Sequence, residues 1–117
     1  MADILNLTQH PGSPEQGVTE PKDKQLVRQL LTFDDLPSKE EIKARANALA
    51  DLASSEGAKA AMIGGAPYLM TSLEEALKER GIAPLYAFSH REVEEVTAPD
   101  GSTKKMAVFR HLGFVEA

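Results

Sequence analysis

Several features are scarce or missing in the sequence, and each absence argues against a class of function or location. The 117 residues include no cysteine, which excludes disulfides, thiol catalysis and cysteine metal sites. They include no tryptophan and few other aromatics, which argues against a stacking platform for single-stranded nucleic acid. No apolar run approaches the ~20 residues of a membrane span. The start Met1-Ala2-Asp3 lacks the basic residues of a signal peptide, so the sequence predicts a cytoplasmic protein.

The charged residues are interspersed, with the acidic ones in excess. The formal net charge of -5 argues against general affinity for DNA or for an anionic membrane, although it leaves room for a local basic pocket. A chain of 117 residues predicts one domain, 1–117, with a modest core that needs no disulfide or metal to hold it.

Apolar runs alternate with helical patterns along the chain. Three runs are predicted to form buried parallel strands: Ile4–Thr8, Ala58–Ile63 and Pro84–Phe88. The helical patterns between them are Asp23–Phe33, Ser38–Gly57 and Pro67–Gly81. This βαβαβ order, with right-handed crossovers, predicts an α/β fold: a small Rossmann-like three-layer domain with a parallel core and a C-terminal antiparallel β-hairpin.

Local signals indicate where the helices begin. Asp23 is a suitable cap for the first helix, and Ser38 with Glu41 has the capping-box spacing for the second. Pro67 suits the first position of the third helix. Before these helices, Ser13–Pro21 has prolines and a glycine but no periodicity, which predicts a loop. Whether that loop covers a ligand or only connects two elements stays open.

The last third of the chain has the pattern of a long hairpin. Ala98-Pro99-Asp100-Gly101 is typical of a turn, and residues 91–112 are predicted to project from the domain. Opposite charges across the two strands favour one register, although each pair contributes only ~0.2–1 kcal/mol. The expected pairs are Thr97 with Ser102, Glu95 with Lys104, Glu94 with Lys105, Ser89 with Arg110 and Phe88 with His111.

Polar residues and glycines follow all three predicted parallel strands. In such sheets, ligands bind beyond the carboxyl ends of the strands. The residues expected there are Thr8, Gln9 and His10, then Gly64, Gly65 and Ala66, then Ser89, His90 and Arg91, with Arg110 and His111 on the returning strand. Glycine permits close backbone approach, a helix N-terminus offers N–H groups, and guanidinium groups bind phosphate oxygens. The sequence therefore predicts a phosphate-binding site.

Each of these residues also has an ordinary interpretation. The Gly-Gly pair can be only a tight turn, and His10 before a proline can be a surface residue. His90 and Arg91 can pair with the glutamates that follow them. The three histidines raise the question of zinc, but they come from separated strands without a carboxylate partner. Neither a metal nor another cofactor is therefore expected.

Two short motifs resemble a known group of proteins. The segment Ile63–Met70 resembles the glycine-rich second-strand motif of CRISPR-associated Rossmann-fold (CARF) domains, in which a Gly-Gly and a nearby methionine lead into a helix. The strand that ends in His10-Pro11-Gly12 is similar to the small stand-alone ring nucleases of type III CRISPR systems. Residues 4–12 and 62–89 match the pattern of these proteins, whereas residues 13–59 and the hairpin do not. The chain also resembles prophage proteins, which would imply a role against host defence.

The resemblance implies a homodimer that binds a cyclic oligoadenylate across its two-fold axis. It implies metal-independent cleavage, in which a ribose 2′-hydroxyl attacks the neighbouring phosphate. His10 would then transfer a proton or contact phosphate, because imidazole titrates near neutrality. The Gly65 and Ala66 amides would hold phosphate, and Arg91 and Arg110 would supply charge. Ala66 departs from the CARF motif, which usually has a hydroxyl residue there, so one ligand contact is lost.

Two other classes of function are compatible with the sequence. The chain could be a non-enzymatic interaction module that docks a partner through the charged hairpin or an exposed sheet edge. It could also be an enzyme that acts on a small phosphorylated metabolite in the same pocket. The sequence alone leaves these alternatives open.

Overall fold

Four strands and three helices make up residues 3–117, the part of the chain that the computed structural model describes, apart from the side chain of Glu94. In chain order they are β1 (Ile4–Leu7), α1 (Lys24–Leu31), α2 (Lys39–Ser55), β2 (Ala60–Ile63), α3 (Pro67–Glu79), β3 (Ala83–Thr97) and β4 (Thr103–Glu116). Met1 and Ala2, which the predicted domain includes, lie outside the described residues. In residues 3–117, no helix combines the length and the apolar character that crossing a bilayer requires.

The described strands form one sheet in the order β1-β2-β3-β4. The first two pairs are parallel, with Leu7 opposite Ile63 and Met62 opposite Leu85. β4 pairs antiparallel with β3. The prediction of a small Rossmann-like α/β domain with a parallel core and a C-terminal hairpin is therefore confirmed.

The helices begin where the capping signals predict. The Asp23 carboxylate accepts a hydrogen bond from the Leu26 amide at 3.0 Å, and the Ser38 hydroxyl accepts one from the Glu41 amide at 3.1 Å. α3 begins at Pro67 without a side-chain cap. Proline is tolerated at this position because its missing N–H would have no partner inside the helix.

All three helices lie on one face of the sheet. α1 and α3 both contact α2, and buried residues of all three helices share one apolar core with Leu5, Leu7 and Ile63. The domain thus has one helical layer and one sheet layer, where three layers were expected. The strand order explains the difference, because successive right-handed crossovers between adjacent strands place every helix on the same side. Helices on both faces would require a reversal of strand order.

The predicted loop before α1 closes the free edge of β1. The Asn6 amide donates to the Thr19 carbonyl, and the Thr19 amide donates to the Ile4 carbonyl, both at 2.8 Å. These bonds make an isolated parallel bridge beside the strand. Part of this segment therefore continues the hydrogen bonding of the sheet.

The hairpin turn contains one residue fewer than expected, which changes the register. Ala98 donates its N–H to the Ser102 carbonyl at 2.7 Å, and Gly101 donates to the Ala98 carbonyl at 2.9 Å. Gly101 has a φ of +87°, so the loop is a three-residue turn that ends in a left-handed glycine. The pairs are Thr97 with Thr103, Glu95 with Lys105, Glu94 with Met106 and Ser89 with His111. The expected register was wrong by one residue here.

A second irregularity lies between Phe88 and Ser89. Phe88 pairs with Gly113 although Ser89 pairs with His111, so Leu112 is an extra residue in β4. Such a bulge bends a strand and increases its local twist. The expected pairing of Phe88 with His111 was therefore wrong by two residues.

The hairpin makes the molecule elongated. The radius of gyration is 17.0 Å, against about 13 Å for a compact domain of this length. The longest dimension is 57 Å. Several large apolar side chains of the hairpin are exposed, among them Phe109 and Val93. The outer part of the hairpin therefore lies outside the apolar core.

Candidate functional site

An open cleft of about 560 Å³ lies at the carboxyl ends of the parallel strands. Its lining residues are Thr8, Gln9, His10, Pro11, Gln16, Met62, Ile63, Gly64, Gly65, Tyr86 and Ala87. The structure thus brings together five of the residues predicted for the site, from the ends of β1 and β2. The cleft opens on the side of the sheet that carries Met62, because the alternate residues Ala61 and Ile63 pack into the helical core.

The glycine pair forms the floor of the cleft between β2 and α3. Gly65 has a φ of +151°, a conformation that a side chain would strain. Gly64 is less restricted, since a Cβ added there would lie 3.7 Å from the Thr8 methyl group, an ordinary contact. Of the two positions, Gly65 is therefore the one at which the backbone conformation requires glycine.

A buried polar network holds the opposite wall in place. Asn6 is fully buried, and its amide nitrogen donates to the His10 carbonyl at 2.8 Å and to both carboxylate oxygens of Glu20. Its side-chain oxygen accepts hydrogen bonds from the amide and the hydroxyl of Thr8, at 3.0 and 2.6 Å. Asn6 therefore fixes the start of the loop that carries His10. Sequence reasoning missed this role, although an asparagine inside an apolar strand was a usable signal.

Glu20 and Lys24 complete the network from the outside. Lys24 Nζ lies 2.7 Å from Glu20 Oε1 and donates to the Thr8 carbonyl at 3.1 Å. Burial works to raise the pKa of Glu20. Hydrogen bonds from Asn6, from Lys24 and from the Gly12 amide outweigh that effect and hold the pKa below its usual value. The carboxylate is therefore charged at neutral pH, and it accepts hydrogen bonds from Asn6, Gly12 and Lys24.

Gly12 allows this loop to close on itself. A Cβ added at Gly12 would lie 2.2 Å from a methyl group of Val18 and 3.3 Å from Glu20 Oε2. The first contact requires the Val18 side chain or the loop to move, whereas the second requires only a small shift of the Glu20 carboxylate. The His10-Pro11-Gly12 sequence thus has a structural reason for its glycine, independent of any ligand.

Tyr86 is a lining residue at the β3 side of the cleft, with its hydroxyl directed toward the helical layer. Its hydroxyl donates to Glu74 Oε2 at 2.6 Å. Burial, together with the hydrogen bond and the negative charge of Glu74, raises the pKa of Tyr86 to about 12. The phenol therefore stays neutral and oriented toward α3. Sequence reasoning treated Tyr86 only as a strand residue and missed its place in the cleft.

The other predicted site residues do not line the cleft. β3 continues to Thr97 instead of ending at Phe88, so its residues at the level of Gly64 are Tyr86 and Ala87. Ser89, His90, Arg91, Arg110 and His111 lie further along the hairpin, and Ala66 is the N-terminal cap residue of α3. At about 3.3 Å per residue, Arg91 lies roughly 13 Å beyond Ala87. The expected convergence of two arginines on the glycine turn was wrong.

The hairpin residues have local partners. Arg110 Nε donates to Glu92 Oε2 at 2.7 Å, which makes an ion pair across the strands. The His111 ring contacts Phe114 edge-on with a centroid distance of 4.8 Å. The three histidines are thus spread from the cleft to the hairpin. Within residues 3–117, no group of three or more histidine, aspartate or glutamate side chains is arranged to hold a metal ion.

The fold and the cleft together define a class of protein: a small Rossmann-like α/β domain with an open site at the carboxyl ends of its parallel strands. A family model matches residues 2–115, which is nearly the whole chain. The chain belongs to the family described as the Uncharacterized protein MJ1673 family. A search of curated proteins and a search of solved structures each found no significant match.

Proposed function

We propose that the cleft binds a small nucleotide, and that a cyclic oligoadenylate is the particular ligand. The supporting observation is the cleft itself, whose volume of about 560 Å³ is within the range of small-molecule sites. It also lies where ligands bind in parallel α/β sheets. The short motifs around Gly64 and His10, which resemble CARF domains and ring nucleases, favour the cyclic ligand.

The character of the lining favours a nucleotide whose phosphate charges are not clustered. Met62, Ile63 and Pro11 offer apolar surface for a base or a ribose, whereas Gln9 and Gln16 offer amide groups. The lining described here contains no arginine or lysine, and His10 is its one basic side chain. A triphosphate would keep several uncompensated charges in such a site. A cyclic oligoadenylate carries one singly charged phosphodiester per nucleoside, so its charges are spread around the ring and are not concentrated in one place.

His10 is the candidate catalytic residue in this proposal. A ribose 2′-hydroxyl attacks the adjacent phosphorus, the bond to the neighbouring 5′-oxygen breaks, and a 2′,3′-cyclic phosphate and a 5′-hydroxyl are formed. An imidazole takes the proton of the attacking hydroxyl or returns one to the leaving oxygen. His10 is exposed at the cleft, and its backbone carbonyl is held by Asn6 and Thr8. The loop is thus fixed while the ring remains accessible.

A ligand panel tests binding. Cyclic tetra- and hexa-adenylate are expected to raise the melting temperature of the purified protein, since a ligand that binds the native state stabilises it. Linear oligoadenylate, adenosine monophosphate and sugar phosphates form the comparison arms. A shift with a sugar phosphate alone would favour the phosphorylated-metabolite alternative. No shift with any compound, for a protein shown to be folded, would refute the nucleotide proposal.

A pair of histidine variants tests catalysis. His10→Ala is expected to abolish ring opening, measured by chromatographic separation of the products, and to leave the circular dichroism spectrum unchanged. His90→Ala is the matched control, because His90 is also exposed but lies on the hairpin away from the cleft lining. An unaffected rate in His10→Ala, or an equal loss in both variants, would remove His10 from the mechanism.

Protein–protein interaction remains a second candidate function. The exposed apolar residues of the hairpin favour it. Deletion of residues 94–105 would abolish such an interaction and leave nucleotide binding in the cleft intact. Loss of nucleotide binding in that deletion, with the domain folded, would contradict the separation of the two surfaces.

A further inference from the structure

One hydrogen-bonding edge of β3 loses its partner strand at the cleft. β2 ends at Ile63 and its pairing with β3 ends at Leu85, whereas β3 continues to Thr97. From Tyr86 onward, within the described residues, β3 pairs with β4 alone. Its other edge therefore borders the space beyond the end of β2, and the cleft lies there.

The direction of each backbone group on β3 follows from its pairing with β2. The Ala83 amide donates to the Lys59 carbonyl at 3.1 Å, so the N–H and C=O groups of Ala83 point to the β2 side. These directions alternate from one residue to the next along a strand. The extra residue of the bulge belongs to β4, so the alternation continues along β3. Ala87 and Ser89 therefore also direct their N–H and C=O groups to the β2 side.

The Ala87 carbonyl and the Ser89 amide are the first neighbouring pair of these groups beyond the glycine turn. Both residues are exposed and have small side chains, and Ala87 lines the cleft. Gly65 turns the chain away from the sheet into α3, which begins at Pro67, so no strand continues the line of β2. Roughly 10 Å, twice the strand spacing, separates the β3 edge from the line of β1 at this level. A planar base fits between them in the plane of the sheet.

This pair of backbone groups has a defined chemical preference. The Ala87 carbonyl accepts a hydrogen bond, and the Ser89 amide beside it donates one. Adenine presents the complementary pair on its Watson–Crick edge, because its N6 amino group donates and its unprotonated N1 accepts. Guanine and hypoxanthine present the reverse pair, a carbonyl O6 and a protonated N1. They would oppose acceptor to acceptor and donor to donor, and leave both backbone groups without a partner.

Further from the cleft, the same edge is poorly suited to a partner strand. Arg91, Glu92 and Glu95 follow Ser89 within six residues. Charged side chains on an edge disfavour the addition of another strand. The part of the edge that remains open to a ligand is therefore the uncharged part beside the cleft.

We propose that the Ala87 carbonyl and the Ser89 amide recognise the base of the bound nucleotide and make the cleft specific for a 6-aminopurine. The carbonyl accepts a hydrogen bond from the N6 amino group, and the amide donates one to N1. The inference rests on the proposed binding of a nucleotide in the cleft, and it adds the groups that select the base. Because both groups belong to the backbone, the Ser89 hydroxyl is not required.

A matched pair of ligands tests this selection on the full chain. The probes are a cyclic tetranucleotide with four adenines and its counterpart with four hypoxanthines, both with 2′-fluorine in place of the attacking hydroxyl so that neither is cleaved. The two have the same charge and nearly the same shape. Calorimetric titration is expected to show binding of the hypoxanthine ring that is weaker by roughly tenfold or more. Equal affinities would overturn the selection of the base and leave the nucleotide proposal standing. Binding of neither ligand would refute the nucleotide proposal and this inference with it.

A proline variant locates the selection on the β3 edge. Ser89→Pro removes the N–H that faces the cleft and keeps the ladder with β4, because proline is tolerated where the N–H of an edge strand has no strand partner. It is expected to weaken binding of the adenine ligand by roughly tenfold or more and to abolish the preference over hypoxanthine. Ser89→Ala, which keeps the amide, is expected to retain both.

Val93→Pro controls for the effect of proline itself. It removes an N–H from the same edge about 13 Å beyond Ser89, and is expected to leave affinity and preference unchanged. Circular dichroism confirms that each variant is folded, and the ligand pair tests the inference on the wild-type protein in any case. A preference that persists in Ser89→Pro, or that disappears in Ser89→Ala or Val93→Pro, would overturn the assignment to the Ser89 amide.

Discussion

β3 crosses from one environment into another without a break. Its first residues, Ala83–Leu85, pair parallel with β2, and from Leu85 onward the strand pairs antiparallel with β4. Tyr86 then packs against the helical core. Beyond Phe88 the strand pairs with β4, and its described side chains, which exclude that of Glu94, are exposed except at Glu92, which is half-buried. The comparison shows that one strand can be ordered by burial at its start and by cross-strand hydrogen bonds and turn geometry at its end.

The largest expected difference between the apolar core and the hairpin is the loss of unfolding free energy when a large apolar side chain is shortened. Leu73 is fully buried in α3, so Leu73→Ala is expected to lower the free energy of unfolding by about 2–5 kcal/mol. Phe109→Ala removes a larger side chain from the hairpin, and is expected to cost less than about 1 kcal/mol in the monomeric state. Urea denaturation at low protein concentration measures both. Equal losses would show that the hairpin is part of the cooperative core.

The next effect concerns the polar network beneath the cleft. Asn6→Leu is expected to cost roughly 1–3 kcal/mol, because Glu20 and the Thr8 amide lose a buried partner. Asn47→Leu is the matched control, since Asn47 is exposed on α2 and its side-chain oxygen accepts a hydrogen bond from Arg80 at 3.3 Å. Denaturation curves of the two variants measure the loss of unfolding free energy in each. A control variant as unstable as Asn6→Leu would show that the buried position is not special.

The smallest effect is a dependence on pH. The folded protein holds the pKa of Glu20 below its unfolded value, so ionised Glu20 stabilises the fold above that unfolded value. This stabilisation is lost as the pH falls through the folded pKa. Glu20→Gln is therefore expected to be less stable than wild type at pH 7, with the difference shrinking toward acid pH. Because the Glu20 side chain is 43% exposed, solvent screening keeps the effect modest. A difference that grows in acid would contradict the assignment.

Much of the fold follows from the sequence because local and tertiary requirements agree there. The helices have apolar residues at helical spacing and polar residues that can cap the first turn, as Asp23 and Ser38 do. The parallel pairing uses short apolar runs, and the runs of β1 and β2 end at Thr8 and Gly64. The contacts of Thr8 and Gly64 across the cleft follow from strand topology alone.

The remaining features depend on information that a linear pattern does not carry. The outer part of β3 packs on no core, so its sequence shows no clear alternation. Its register depends on hydrogen bonds at Ala98 and Gly101, which outweigh the small contribution of the charge pairs. The role of Asn6 depends on Glu20, fourteen residues away, which reaches it only when the loop folds. The strand order, and hence the number of layers, is equally invisible in the order of elements.

The hydrogen bonds of Asn6 have a consequence for how the cleft moves. The backbone of Asn6 binds Thr19, and its side chain binds the Thr8 amide and the carboxylate that holds the Gly12 amide. The backbone amides of Asn6, Thr8 and Gly12 are expected to exchange with deuterium as one unit, because all three depend on the residues that Asn6 holds together. The entrance of the cleft would then open as a block, with an exchange rate common to these three amides.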